Sequence, residues 1–235
     1  METFIELANA DCLDYMAHMP DQCVDMILCD LPYGTTKNKW DSIIPLDSLW
    51  QEYKRICKSI IVLTATQPFS SQLVLSNKEM FSYELIWRKS RPTGHLNANK
   101  APLRAHEVVL IFYNEQPIYN PQKTPGKPYK AKSGRATTNY GAQVVTETIN
   151  LGDRYPVSVL DFPSVSKTVH PTQKPVELME YLIKTYTNEG MLVLDNCMGS
   201  GTTGVACKKL NRSFIGIEKD PEYFKLAERR INETV

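Results

Sequence analysis

A set of short apolar runs constrains the fold of this chain more than any other feature. "CVDMILC", "SIIVLTA", "VVLIFY", "MLVLD" and "SFIGIE" are each long enough for one strand, and each breaks off at polar or turn-forming residues. Their apolar residues are nearly continuous, which is the pattern of strands covered on both faces. "TFIEL" and "YELIW" read as further strands. Helix signals alternate with them. Asp11 can cap a short helix "CLDYMAHM" closed by Pro20, Pro45 can begin one to about Cys57, and Pro68 can open "FSSQLVL". Pro175 starts a helix whose Leu178, Leu182, Ile183 and Tyr186 share a face, "GTTGVACKKL" forms another, and Asp220-Pro221 caps a last one to about Ile231. The alternation predicts an α/β fold, doubly wound on a mainly parallel sheet, in one main domain of 235 residues. From about 115 to 169 the chain is rich in Pro, Gly, Lys and Tyr with little periodicity, as expected of a loop-rich insertion on that frame.

The start of the chain lacks a basic segment followed by an apolar run and a small-residue cleavage site, and no stretch is apolar enough to span a bilayer. A soluble, cytoplasmic protein with no membrane partner is expected. Cys12, Cys23, Cys29, Cys57, Cys197 and Cys207 form no CxxC pair and no zinc-like spacing with histidine, so they read as small packing residues, and no metal site is expected. The net charge of +1 hides an asymmetry. Between Arg88 and Arg135 lie ten Lys or Arg against Glu107 and Glu115, a middle of +8 inside a frame of −7. A polyanion is the natural partner of such a middle.

The stretch "VLDNCMGSGTTGVA", Val193 to Ala206, is a strand ending in an acid and followed by glycines that open a helix. Such a turn lets backbone approach a nucleotide-like ligand, and Glu218 ends the next strand where it can accept from a ribose diol. NAD, FAD and S-adenosylmethionine can all use this layout. Asp195 stands where a pyrophosphate would have to be received, and an acid there suits a ligand carrying an ammonium and a sulfonium. That favours S-adenosylmethionine.

"DLPYG", Asp30 to Gly34, follows the strand "VDMILC". The exocyclic amine of adenine or cytosine is a poor nucleophile because its lone pair is delocalised into the ring. A carboxylate and a neighbouring backbone carbonyl, each accepting one N–H, would pull that nitrogen towards a tetrahedral geometry and aim the lone pair at a sulfonium methyl. Asp30 and the Leu31 carbonyl can be those acceptors. Pro32 disfavours helical backbone at Leu31 and holds the turn open, and Tyr33 offers a flat face to the base.

Together with "NADCLDYM", "WRKSRPTGHLNANKAPLRAHEVVLIFY", "HPTQKPVELMEYLI" and "FIGIEKDPEYFKLAERRI", these motifs give nearly the whole chain a resemblance to the DNA amino-methyltransferases of the circularly permuted beta group, which methylate adenine N6 or cytosine N4. The resemblance implies a class I S-adenosylmethionine methyltransferase fold, circularly permuted, with 115–169 as the inserted target-recognition region. It implies catalysis by Asp30, Leu31, Pro32 and Tyr33. Asp11 and Cys12 would meet the cofactor adenine and Glu218 its ribose. Thr172, Gln173, Lys174, Asp195, Asn196, Cys197, Gly199, Ser200, Gly201, Thr202 and Thr203 would hold its methionine end. Arg88, Lys89, Arg91, Lys100, Arg104, Lys123, Lys127, Lys130, Lys132 and Arg135 would contact double-stranded DNA, with the target base flipped out. A homodimer and a companion restriction enzyme are compatible with it. The family more often pairs an Asp at the motif's first position with adenine and a Ser with cytosine, so Asp30 favours adenine.

The chain departs from the family at Leu31, usually a proline, and at Asn196-Cys197, usually Pro-Phe. The first is tolerable because a backbone carbonyl does the work; the second removes an aromatic from the cofactor site and points to weaker binding. His170 reads as a turn residue or a cofactor orienter, His95 and His106 as exposed or DNA-contacting, and His18 as packing on its helix. Trp40 and Trp50 read as core, while Trp87, Tyr119, Tyr129 and Tyr140 read equally as packing or as base-stacking residues. The competing functions are methylation of an RNA base amine, a catalytically silent DNA-binding relative and, more remotely, a dinucleotide oxidoreductase.

Overall fold

The computed structural model describes residues 3–34, 42–133, 146–166 and 173–234. The first half of the chain runs β1 (Ile5–Ala8), α1 (Cys12–Met16), β2 (Val24–Cys29), α2 (Leu46–Ile56), β3 (Cys57–Ala65), α3 (Phe69–Ser76), β4 (Phe81–Thr93) and β5 (Arg104–Phe112). Four short strands follow: β6 (Thr124–Pro125), β7 (Tyr129–Ser133), β8 (Thr146–Asn150) and β9 (Asp153–Arg154). The chain ends with β10 (Val159–Phe162), α4 (Val176–Tyr186), β11 (Leu192–Asp195), α5 (Thr202–Lys209), β12 (Ser213–Ile217) and α6 (Pro221–Asn232). No helix of the described residues is long and apolar enough to cross a membrane.

Two compact units result, residues 1–120 with 158–235, and residues 121–157. The larger is built on one sheet in the order β1-β12-β11-β2-β3-β5-β4-β10. β5 pairs antiparallel with both its neighbours, and every other pairing in the sheet is parallel. Alternate residues along the central strands feed two cores. Ile27 and Cys29 of β2 and Ile61 and Leu63 of β3 pack with Leu49, Tyr53 and Phe69 of α2 and α3. Met26, Leu28, Ile60 and Val62 pack with Leu182, Val205 and Ile231 of α4, α5 and α6. Helices therefore cover both faces, which is why the strands read as unbroken apolar runs.

Local signals set the helix starts. Asp11 accepts from the Leu13 amide at 3.0 Å to cap α1, and Asp220 caps α6 with Pro221 in the first turn. Pro45, Pro68 and Pro175 precede α2, α3 and α4. α1 stops at Met16, short of the expected Pro20. The irregular region also differs from its expected span, because residues 159–162 form β10 and pair with β4 from Ile86 to Lys89, leaving 121–157 as the separate unit. A four-residue strand in an irregular stretch has too few alternating positions to announce itself. In the smaller unit β6 pairs with β9 and β7 with β8, both antiparallel.

Candidate active site

The connections β2–α2–β3 and β11–α5–β12 wind in opposite directions from two adjacent strands, so the order of the sheet reverses between β11 and β2. Ligands of open α/β sheets bind at such a point, beyond the carboxyl ends of the strands. A cavity of about 510 Å³ opens there. Its wall takes Asp11 and Cys12 from the start of α1, Asp30, Leu31, Pro32 and Tyr33 from the turn after β2, Gln173 and Lys174 from the approach to α4, and Glu218 from just beyond β12. The turn after β11 and the start of α5 add Asp195, Asn196, Cys197, Gly199, Ser200, Thr202 and Thr203. The turn after β11 and the motif after β2, 165 positions apart in their acids, thus meet in one pocket because their strands are hydrogen-bonded neighbours.

Several residues expected to hold a cofactor also hold the turn together. Asp195 is buried; one carboxylate oxygen accepts from Thr203 Oγ1 at 2.6 Å and the other from the Cys197 amide at 3.2 Å. Burial pushes its pKa up to about 6 against those hydrogen bonds. Glu218 accepts from the amides of Gly199 at 2.9 Å and Asp220 at 2.8 Å, and burial raises its pKa too. Gly201 is not on the wall. With φ at +75° it caps α5, and a Cβ there would stand 2.9 Å from the Ala227 Cβ. Asn196 is buried and accepts from the Tyr53 hydroxyl at 2.6 Å. Asp11 pairs with Lys219 at 3.0 Å; burial raises its pKa, and the Lys219 and backbone hydrogen bonds outweigh that and lower it. The Cys12 thiol leans on Cys197, which lowers its pKa.

The densest cluster surrounds Asp30. Its Oδ1 accepts from the Tyr33 hydroxyl at 2.5 Å and from Thr64 Oγ1, and its Oδ2 from the Lys174 ammonium at 2.5 Å. Lys174 lines the pocket, and its ammonium reaches the acid of the "DLPYG" turn. Burial alone would lower its pKa, but Asp30, Tyr33 and Glu107 outweigh that and hold it well above the ordinary lysine value. The Tyr33 ring packs tilted on Phe69 at 5.5 Å between centroids, with the Lys174 ammonium 5.8 Å from its centre. Thr64 and Glu107 escaped the sequence reading. Thr64 is the one hydroxyl among the buried residues of "IIVLTA", and Glu107 the acid at the head of "VVLIF"; a polar side chain at the end of a buried strand is the signal each carried. β5 runs against β3, pairing Ala65 with Val108, so its beginning lies at the edge where the parallel strands end.

The basic residues separate into groups. Arg91, Lys100 and Arg104 are exposed in the larger unit, and Lys127, Lys130 and Lys132 in the smaller. Arg88 and Lys123 are exposed but paired with Asp161 and Asp153, at 2.5 and 2.6 Å. Lys89 leaves the surface set. Strand alternation puts it on the face of buried Trp87, where it donates to Glu107 at 3.2 Å with 9% of its side chain exposed. Trp87 is core, its indole N–H donating to the Phe162 carbonyl at 2.8 Å, so it is no stacking platform. Trp50 is core as expected. His18 lies exposed with Nδ1 against the Asp14 carbonyl, and His95 and His106 are exposed. Tyr119 and Tyr129 are each about half exposed, and the Arg154 guanidinium lies over the Tyr129 ring at 4.8 Å. Trp40, Arg135, Tyr140, His170 and Thr172 lie outside the described residues.

A doubly wound α/β sheet with an acid-lined pocket at its switch point, and a second acid beside it on a proline turn, defines a class: nucleotide-cofactor enzymes whose chemistry sits at strand ends. Residues 24–229 match the family model described as DNA methylase, and the chain belongs to that family. It is 26% identical over 264 residues to the type II methyltransferase M2.DpnII of Streptococcus pneumoniae, covering 97% of this chain and 91% of that one. It is 28% identical over 249 residues to the DNA adenine methyltransferase YhdJ of Escherichia coli K12, covering 96% and 82%. Among solved structures, the complex of M1.HpyAVI with SAM aligns at a TM-score of 0.68 and 27% identity over 97% of this chain and 100% of that one. The cytosine-N4-specific PvuII DNA methyltransferase aligns at 0.73 over 98% and 87%, and at 15% identity it speaks to the fold alone.

Proposed function

We propose that this enzyme moves the methyl group of S-adenosylmethionine to the N6 amine of adenine in double-stranded DNA, with Asp30 and the Leu31 carbonyl as the acceptors that activate the amine. The observation that carries the reading is the position of Asp30, on a proline-held turn at the rim of the pocket whose other wall is the glycine turn after β11. The pocket suits the cofactor in size and charge. Its volume lies within the range of small-molecule sites, and Asp11, Asp195 and Glu218 give it the negative wall that an ammonium and a sulfonium require. When bound, S-adenosylmethionine supplies an electrophilic methyl on a cationic sulfur.

The chain's own residues do the rest. Asp30 and the Leu31 carbonyl each take one N–H of the amine, which turns its lone pair out of the ring plane, and Asp30 is the base within reach of the proton that leaves. Pro32 has no N–H and keeps Leu31 extended, so that carbonyl faces the substrate. Tyr33 borders the pocket where the extruded base would lie. Residues 121–157, carrying Lys123, Lys127, Lys130 and Lys132, are the target-recognition region in this reading. Adenine is favoured over cytosine by the Asp at the motif's first position and by the likeness to YhdJ, a DNA adenine methyltransferase.

The test is direct. Asp30→Ala removes an acceptor that matters only as the nitrogen rehybridises, so turnover should collapse while calorimetric affinity for S-adenosylmethionine stays within about twofold. Lost cofactor affinity with methylation intact would overturn the assignment. Digestion of methylated DNA to nucleosides, resolved by mass spectrometry, should give N6-methyladenine; N4-methylcytosine alone would move the base assignment and leave the acceptors standing. Methylation of RNA in preference to duplex DNA would move the substrate.

A further inference from the structure

Asp30 is heavily engaged. Its Oδ1 accepts from Tyr33 and Thr64, which fills that oxygen, and its Oδ2 accepts from Lys174, so a base amine reaches the carboxylate through Oδ2, the oxygen whose acceptor strength the ammonium draws on. Of the three donors, Lys174 has a second carboxylate beside it. Its ammonium stands 3.3 Å from Glu107 Oε2, and that oxygen is buried without a hydrogen bond. Glu107 Oε1 is already engaged by Lys89 at 3.2 Å. A buried carboxylate oxygen left without a donor is costly, and here it sits beside an ammonium held by another acid.

We propose that Glu107 is a positioning residue: it takes over the Lys174 ammonium as the target amine docks on Asp30. The exchange leaves the charge of the site unchanged. Lys174 passes from one buried carboxylate to another, so Asp30 is released without stranding an unpaired buried cation, which is the expensive alternative. Lys89 holds the far oxygen of Glu107 and keeps the receiving one aimed at Lys174. Before DNA arrives, Lys174 and Asp30 satisfy each other, and the amine takes over the oxygen that the ammonium gives up.

The inference rests on the reading of Asp30 as the amine acceptor, and a double-mutant cycle separates the two. Tritiated methyl transfer from S-adenosylmethionine to mixed-sequence DNA is measured for Glu107→Gln, Lys174→Met and the pair, with cofactor affinity and thermal midpoint for each. If Glu107 acts through Lys174, Glu107→Gln lowers kcat by about tenfold or more with cofactor affinity within about twofold. The same substitution in the Lys174→Met background then costs less than about twofold. Losses that multiply in the pair, or an unchanged kcat in Glu107→Gln, overturn the proposal. Glu107→Asp keeps the charge but withdraws the oxygen by about 1.5 Å, one carbon–carbon bond, so it should also lose turnover. Wild-type kcat in Glu107→Asp would reduce Glu107 to charge balance and sink the idea. If Glu107→Gln does not fold, Glu107→Asp takes its place in the cycle. Turnover retained in Asp30→Ala would fell the reading of Asp30 whatever the cycle gives.

Discussion

Asp195 joins a structural duty to an electrostatic one. Its carboxylate ties the turn after β11 through Thr203 and the Cys197 amide, and burial holds its pKa at about 6. The folded value lies above the ordinary 3.8, so protonation stabilises the folded state: the benefit is complete below about pH 4 and is lost as pH rises through 6. A cationic ligand asks for the opposite form. Affinity for S-adenosylmethionine should therefore be greatest above pH 6 and fall as pH drops below it. Glu218, also raised by burial, acts in the same direction, and a comparison with Asp195→Asn assigns the step. Titration calorimetry between pH 8 and 5 should show the fall in the wild type and a weaker, flatter profile in the variant; identical profiles would remove the Asp195 charge from binding. Glu218→Ala should weaken the cofactor by about 1–3 kcal/mol, since it also strands the Gly199 and Asp220 amides. An unchanged dissociation constant would take Glu218 out of the site.

At the scale of elements, α5 depends on close approach. A Cβ on Gly204 would lie 2.5 Å from Ile231 Cδ1 and 2.7 Å from the Phe214 ring, so either α6 or β12 must yield. Gly204→Ala should lower stability by about 1–3 kcal/mol in urea unfolding despite alanine's better helix propensity. A more stable variant would show that α6 moves freely. The helix starts were legible because capping acids and prolines act on their own first turn: Asp11, Pro45, Pro175 and Asp220 all mark observed boundaries. β4 was less so. The run "YELIW" extends through charged residues to Thr93, and only its pairing with β5 turns Lys89 inward and leaves Arg88 out. A basic residue in a polar stretch looks the same in sequence on either face.

Over the whole molecule the charge asymmetry predicts salt-dependent DNA binding. Neutralising Lys127, Lys130 and Lys132, all exposed in the smaller unit, should flatten the log–log dependence of DNA affinity on salt by about one unit per lost phosphate contact. An unaltered slope in the triple variant would make these lysines solubilising only. The alternation of buried strands and capped helices determined the α/β class and put Asp30, Asp195 and Glu218 at strand ends, because periodicity, proline geometry and capping are properties of neighbouring residues. The partners of Asp30 were decided only by the tertiary structure. Lys174 is 144 positions away and Thr64 is 34, and Glu107 joins them because one strand of the sheet runs backwards. Strand order and direction arise from how whole helices and strands pack, and no local pattern carries them. A lysine that its motif places beside a cofactor lines that pocket and is held there by the acid of another turn, a pairing that only the packed sheet brings about.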